Sequence, residues 1–214
     1  MKKILVGCLL FTLVSCFEVT ETLNHASNDS GSYSLVVDFS NSWLKTKSAI
    51  LLKEVDGVSI PSEAEIKSKL AKFRTEAAKI KGTSGVSTSY DFNTYVFKLN
   101  FSYDSIATLN AVLNAIDKKN TLIHFKKNGS KLERIASYPL PKNLIKNDDK
   151  KEDLQNASLT AVYSFENQVT TVENPNSKIS KSKKTVFLKQ NIWNVLQNSK
   201  IMNNSISFDT NAKL

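Results

Sequence analysis

Cysteine is nearly missing from this chain. Of 214 residues only Cys8 and Cys16 are cysteines, and both fall within the first sixteen. If that segment is processed, no intramolecular disulfide can form and no free thiolate is left for catalysis. An exported protein of this kind must rely on its apolar core instead of cross-links. Histidine is almost as scarce. His25 and His124 are far apart in sequence and have no thiolate to join them, which argues against zinc. Six glycines leave little scope for phosphate cradles, and neither a G-x-x-x-x-G-K-[ST] nor a G-x-G-x-x-G pattern occurs. Serine-nucleophile signatures are missing too: there is no G-x-S-x-G elbow, nor an S-x-x-K set with its partners. Arg74 and Arg134 are the only arginines among 29 basic residues. Phosphate and base recognition lean on the planar guanidinium, so the basic balance does not indicate a nucleic-acid partner. No period of 20–50 residues appears, which excludes a solenoid or propeller.

What is present begins at the N-terminus. Lys2 and Lys3 precede a mostly apolar stretch from Ile4 to Val14. It is far shorter than the ~20 residues a membrane-crossing helix needs, and its flanks are those of a signal peptide. No small-x-small cleavage site follows convincingly. Leu13-Val14-Ser15-Cys16 has instead the form of the bacterial lipobox, with leucine three before the cysteine and a small residue just before it. In proteins with that motif the Cys16 position carries a thioether-linked diacylglycerol and becomes the acylated first residue. Two or three acyl chains of the palmitate kind bury enough methylenes, at ~0.8 kcal/mol each, for stable anchoring. The expectation is a chain anchored to a membrane and not spanning it.

Removing residues 1–15 takes away Lys2 and Lys3 and no acidic residue, which leaves 27 basic and 20 acidic side chains, a formal net of +7. At 41% hydrophobic residues a packed core is expected. The lysines read as a solvated surface, or as a weak attraction to anionic lipid headgroups.

Along the chain, Phe17–Ala26 and Ser32–Phe39 alternate around the turn cluster Ser27-Asn28-Asp29-Ser30-Gly31 and predict a β-hairpin. It would start directly at Cys16 with almost no tether. Residues 42–54 suggest a helix. Ser62-Glu63-Ala64-Glu65 is a capping-box pattern, followed by Ile66, Leu70, Phe73, Ala77 and Ile80 at helical spacing. That narrow stripe fits a core-facing helix better than a membrane-surface one. Thr83–Val86 reads as a turn, Tyr95–Phe101 as a strand, and Asp104 as the cap of a helix to Asp117. Asn128-Gly129 marks a second hairpin. Tyr138-Pro139-Leu140-Pro141 stops regular structure, and the Lys/Asp/Asn-rich residues 142–157 read as an exposed polar connection. That connection lacks the calcium-loop pattern. Strands return at Leu159–Phe165, Val169–Glu173, Thr185–Lys189 and Met202–Phe208, with a short apolar turn at Ile192–Leu196. The reading is therefore a signal peptide (1–15), an α+β body (16–141), a polar connection (142–157) and a C-terminal β-rich part (158–214) packing on the same body. The fold expected is an antiparallel sheet of β-hairpins with two or three amphipathic helices on one face.

Gly31-Ser32-Tyr33-Ser34-Leu35-Val36-Val37-Asp38 resembles a strand early in small lipoproteins of Bacteroidetes. The run from Tyr163-Ser164-Phe165 through Glu173-Asn174-Pro175 and Thr185-Val186 to Trp193 is similar to the closing β-region of LppM-type lipoproteins. In that pattern a glycine usually stands where this chain has Glu166-Asn167-Gln168. The resemblance implies an exported, acylated α+β protein of undefined molecular role. By the sorting habits of such lipoproteins, Phe17 in place of an aspartate after Cys16 points to the outer membrane, facing the periplasm.

Candidate chemistry is thin. His124, between Ile123 and Phe125 on a predicted strand, reads as a hydrogen-bonded or exposed histidine in preference to a metal ligand or base. Glu63 and Glu65 belong to the helix cap. Trp43 and Trp193 fit core packing, or a sugar or lipid pocket. No metal, cofactor or catalytic residue is predicted. The function expected is a non-catalytic binding or scaffolding module, anchored by lipid and meeting an anionic envelope surface or a protein partner. The alternative is a periplasmic carrier of an acyl chain or another apolar ligand.

Overall fold

The computed structural model describes residues 17–55, 58–116, 121–135, 151–198 and 200–209. The chain opens with the expected hairpin, β1 Glu18–His25 and β2 Gly31–Asp38. The turn between them needs Gly31, because a Cβ there would collide with the Asn24 carbonyl and the Tyr103 hydroxyl. A short 3-10 turn, Ser40–Ser42, leads into α1 Trp43–Leu52, and β3 Glu54–Val55 with β4 Val58–Ser59 forms a two-stranded hairpin. Next come α2 Glu63–Ala77, β5 Thr83–Asp91, β6 Val96–Tyr103 and α3 Ile106–Asn114. The second half holds β7 Phe125–Asn128, β8 Lys131–Arg134, α4 Lys151–Asn156, β9 Ser158–Phe165, β10 Val169–Val172 and β11 Ser177–Ile179. It closes with β12 Thr185–Asn191, α5 Ile192–Gln197 and β13 Asn204–Phe208.

The strands form a seven-stranded sheet in the order β11-β12-β9-β1-β2-β6-β5 and a four-stranded sheet in the order β10-β13-β8-β7. The α+β class is as expected. Among the described residues all pairings are antiparallel except one: β9 runs parallel to β1, with Leu23 beside Tyr163. Hairpins alone therefore do not build the sheet, because its centre joins strands from opposite ends of the chain.

Alternation divides this sheet into two unlike faces. Leu23 stands opposite Tyr33 and Tyr163, Tyr33 opposite Phe101, and Tyr163 opposite Val186; all are buried. The neighbouring row, Thr22, Ser34, Asn100 and Val162, lies on the outer face and is at least partly exposed. The small sheet covers the middle of the apolar face. Phe125 of β7 meets Tyr163 edge-on at 6.2 Å, and Phe165 stacks on Phe208 of β13 at 5.3 Å. α2 packs beside β5, α3 beside β6 and β7, and α4 and α5 together near β12. Each fully buried leucine, valine or phenylalanine contributes roughly 1.5–3 kcal/mol.

Local signals explain most elements. Ser62 Oγ accepts from the Glu65 backbone N–H at 3.3 Å and Glu65 Oε2 accepts from the Ser62 N–H at 2.8 Å, a complete capping box. Phe73 and Ala77 of the expected stripe are buried. The cap of α3 is Ser105, whose Oγ accepts from the Thr108 N–H at 3.2 Å. Asp104, expected in that place, instead accepts from the Thr108 hydroxyl at 2.6 Å. Gly129, at φ 56°, starts the two-residue turn that joins Asn128 to Lys131, so the hairpin turns one residue later than read.

Other readings need correction. Thr83–Val86 is not a turn but the start of β5, an edge strand with a bulge between Ser84 and Ser87. Gly85 at φ 60° lies in that bulge, and a glycine-bearing bulge in a polar strand looks like a turn. Residues 142–150 of the expected polar connection lie outside the described residues. Residues 151–156 form α4, which buries Leu154. No described helix is long and apolar enough to cross a membrane.

Candidate functional site

Leu13, Val14, Ser15 and Cys16 lie outside the described residues, but the place where they join the body is defined. Phe17 already belongs to the fold: its carbonyl accepts from the Ser158 N–H at 3.0 Å, and its ring stacks on Phe39 at 5.2 Å. Cys16 is therefore one Cα–Cα step, ~3.8 Å, from a packed residue. From Phe39 an aromatic chain continues to Phe97 at 6.4 Å and on to Phe92 at 5.7 Å. Beside it an open cleft of about 350 Å³ is lined by Trp43, Lys47, Glu63, Phe92, Asn93 and Tyr95. Lys67 covers the Phe92 ring at 5.0 Å. The Tyr95 hydroxyl donates to Glu63 Oε1 at 3.4 Å. Glu63 thus serves this contact as well as the first turn of α2.

Trp43 is not a core residue as expected; it is 46% exposed. Trp193 is part-buried against the core, with Lys151 Nζ 5.6 Å above its ring. The difference has a structural cause. Trp43 opens a helix that buries none of its residues, whereas Trp193 belongs to α5, which buries Ile192 and Val195.

The sharpest polar constellation joins residues that no sequence motif links. Glu21 of β1 points to the covered face, where Arg134 of β8 meets it two-pronged: Nε to Oε1 at 2.9 Å and Nη2 to Oε2 at 2.7 Å. The Tyr163 hydroxyl donates to Oε1 at 2.8 Å. Nη1 of Arg134 donates to the Ile135 carbonyl at 2.9 Å, and its guanidinium lies 4.8 Å from the Phe125 ring centre. Burial alone pushes the Glu21 carboxyl up. The Arg134 charge and hydrogen bonds from Arg134, Tyr163 and Tyr33 outweigh it and hold the group below its ordinary range. The pair stays ionised and pins the small sheet to the large one. Its signal in the sequence is positional: in the alternation Val19-Glu21-Leu23-His25 an acid occupies an inward place.

At the other end of β1, His25 is buried beside the stacked Phe165 and Phe208 rings, 6.3 Å from each. Nδ1 is 3.2 Å from the Tyr103 hydroxyl, while Nε2 has no hydrogen bond and stands 3.8 Å from Asp29 Oδ1. Asp29 forms an ion pair with Lys127. Burial, aided by the Lys127 charge and only partly countered by Asp29, lowers the imidazole to about 4, so His25 is neutral at physiological pH. Burial and the Asp29 charge raise the Tyr103 phenol. His124 sits apart from His25, at the α3–β7 junction. Its Nε2 is 3.2 Å from Asn114 Oδ1, and burial followed by the Arg134 charge lowers its pKa. Among the described residues no three His, Cys, Asp or Glu side chains form a group that could hold a metal ion. A second cleft of about 330 Å³ lies along Glu133–Ile135 and Glu173–Pro175. The Asn174 side chain braces its wall by donating to the Ile201 and Asn203 carbonyls at 2.8 and 2.7 Å.

No protein-family model and no curated protein matches the sequence. Among solved structures, the chain is similar to the folded domain of the LppM protein of Mycobacterium tuberculosis. The identity is 13%, with 95% of this chain and 96% of that one covered, at a TM-score of 0.47. A likeness that loose defines neither a family nor a function, and the comparisons do not support a Bacteroidetes origin.

Proposed function

We propose that this protein is a lipid-anchored lipoprotein of the bacterial cell envelope that acts as a non-catalytic binding or scaffolding module. The observation that carries the reading is the junction at Cys16. A positively charged start, a short apolar run and Leu13-Val14-Ser15-Cys16 stand directly ahead of Phe17, and Phe17 is already hydrogen-bonded and stacked into the body. A peptidase that removes residues 1–15 would leave an acylated cysteine with a folded domain hard against it. The non-catalytic reading is supported by how the buried charge is arranged: Glu21, Arg134 and Tyr163 are closed on one another across the two sheets, a use of charge that serves the fold. The membrane is met through the N-terminal lipid, and placement in the outer membrane with the body in the periplasm follows from Phe17 after the cysteine. No nucleic-acid partner is proposed.

Membrane fractionation with fatty-acid labelling tests the reading. The wild type should carry label and sediment with membranes. Cys16→Ala should lose the label and its processing. Label retained by Cys16→Ala would remove the anchor.

A further inference from the structure

α1 departs from the way helices normally join a body. Six of its ten residues, WLKTKSAILL, are apolar, yet it buries none of them. The side turned inward, Thr46, Ala49 and Ile50, is only part-covered. The outward stripe holds Leu44, Ser48, Leu51 and Leu52, at the spacing of one helix face. Leu44 is 49% exposed, Leu51 73% and Leu52 69%, with Trp43 beside them. Isolated exposed leucines are ordinary on protein surfaces, but a contiguous row on one helix marks an interaction site.

Three observations select the occupant. The first is place: Ser42, which precedes Trp43, donates its N–H to Phe39, and Phe39 stacks on Phe17. The helix therefore leaves the same end of the sheet at which Cys16 enters. The second is charge. From Phe39 to Lys53 the chain carries Lys45, Lys47 and Lys53 and no acid; Glu54 comes next in the chain, and Glu63 shares the cleft with Trp43 and Lys47. Lys45 is paired with Asp153 at 3.1 Å, while Lys47 is exposed along the leucine row and Lys53 follows its end. The third is the tryptophan at the start of the helix, a side chain that favours the boundary between hydrocarbon and headgroups. Leucines flanked by lysines, with a tryptophan at one end, match an anionic lipid surface better than an acidic protein groove.

We propose that the exposed face of α1 docks on the anionic bilayer to which Cys16 is anchored. The helix lies in the headgroup region, and the sheet end carrying Phe17 faces the membrane. This rests on the anchor reading for proximity, but the contact is made by different atoms. It gives the body a fixed orientation: the Asn28 turn between β1 and β2, at the opposite end of the sheet, points away from the bilayer.

The mature chain has no cysteine beyond Cys16, so single fluorescent labels can be placed at will. The acylated full-length protein, labelled through Ser48→Cys or Asn28→Cys, is reconstituted into vesicles of phosphatidylglycerol and brominated phosphatidylcholine. Both positions are exposed, and the substitutions give up only local hydrogen bonds, two from Ser30 to Asn28 Oδ1 and one from Ser48 Oγ to the Leu44 carbonyl. The label at position 48 should lose about half its emission or more to the bromines, as expected for a helix seated at the acyl boundary, and the label at position 28 should lose none. Adding Leu44→Ser, Leu51→Ser and Leu52→Ser should restore the emission at position 48 while fatty-acid label remains on Cys16. No quenching at position 48, or equal quenching at both, overturns the orientation even if Cys16 is acylated. Quenching at position 48 alone in a Cys8→Ser, Cys16→Ser variant, which carries no fatty acid, would support the docking face independently of the anchor.

Discussion

Two of the places where the described residues break the usual rule of polar outside and apolar inside differ in kind. At the centre of the covered face the molecule buries a charged pair, Glu21 with Arg134. On α1 it exposes a row of leucines. The buried pair is satisfied from every side, by two hydrogen bonds between its members and further bonds to Tyr163 and the Ile135 carbonyl. Among the described residues nothing covers the leucines. A group whose partners are all internal serves the fold; the exposed row is the face we propose meets the bilayer. The neighbouring helix sharpens the contrast. α2 has fewer apolar residues in proportion, yet it is boxed at its N-terminus and buries Phe73 and Ala77, whereas α1 has no side-chain cap and buries nothing.

Breaking the internal exception should have the largest effect. Arg134→Ala leaves Glu21 charged in an apolar layer and should cost about 3–5 kcal/mol, read as a lowered urea midpoint. A loss below about 1 kcal/mol would mean that the pair is not what joins the sheets. The second effect belongs to His25. Its folded value near 4 lies below the ordinary 6.5, so the unfolded chain binds more protons between those limits. Stability should therefore be full above about pH 6.5 and decline as pH falls towards 4, by up to about 3 kcal/mol. His25→Gln should flatten the curve of unfolding free energy against pH in that window. Equal slopes in variant and wild type would show that His25 does not titrate as its burial implies. Glu21 adds a loss of the same sign at lower pH, since its depressed carboxyl stabilises only while ionised. A smaller change is expected at the cap of α2, where Ser62→Ala should cost about 1 kcal/mol in thermal or urea unfolding. Unchanged stability there would make the box decorative. The smallest effect on folding should come from Leu51→Ser, within about 0.5 kcal/mol, because the side chain is already in solvent. A loss of several kcal/mol would place Leu51 in packing and erase the contrast between the two exceptions.

How much of this was legible in the sequence depended on how local the cause was. The β1–β2 hairpin, the Ser62 box, the stripe through Phe73 and Ala77, and the hairpin at Asn128-Gly129 each depend on residues a few positions apart, and each is legible, the last with its turn one residue later. β5 was not, because an edge strand rich in serine and threonine has no apolar face to alternate, and its Gly85 bulge imitates a turn. The parallel pairing of β1 with β9 leaves no local trace, since it joins segments about two-thirds of the chain apart. Glu21 and Arg134 stand 113 residues apart, and only the inward place of an acid in β1 hinted at the pair. Trp43 was misplaced for a related reason. Periodicity shows which residues share a face of α1, but not whether that face has a neighbour.

The account rests on Cys16, and the most direct test is the mass of the N-terminal peptide of the protein isolated from its native membrane. The prediction is a peptide beginning at Cys16 with its sulfur carrying diacylglycerol. A peptide that begins elsewhere, or at an unmodified Cys16, would contradict it.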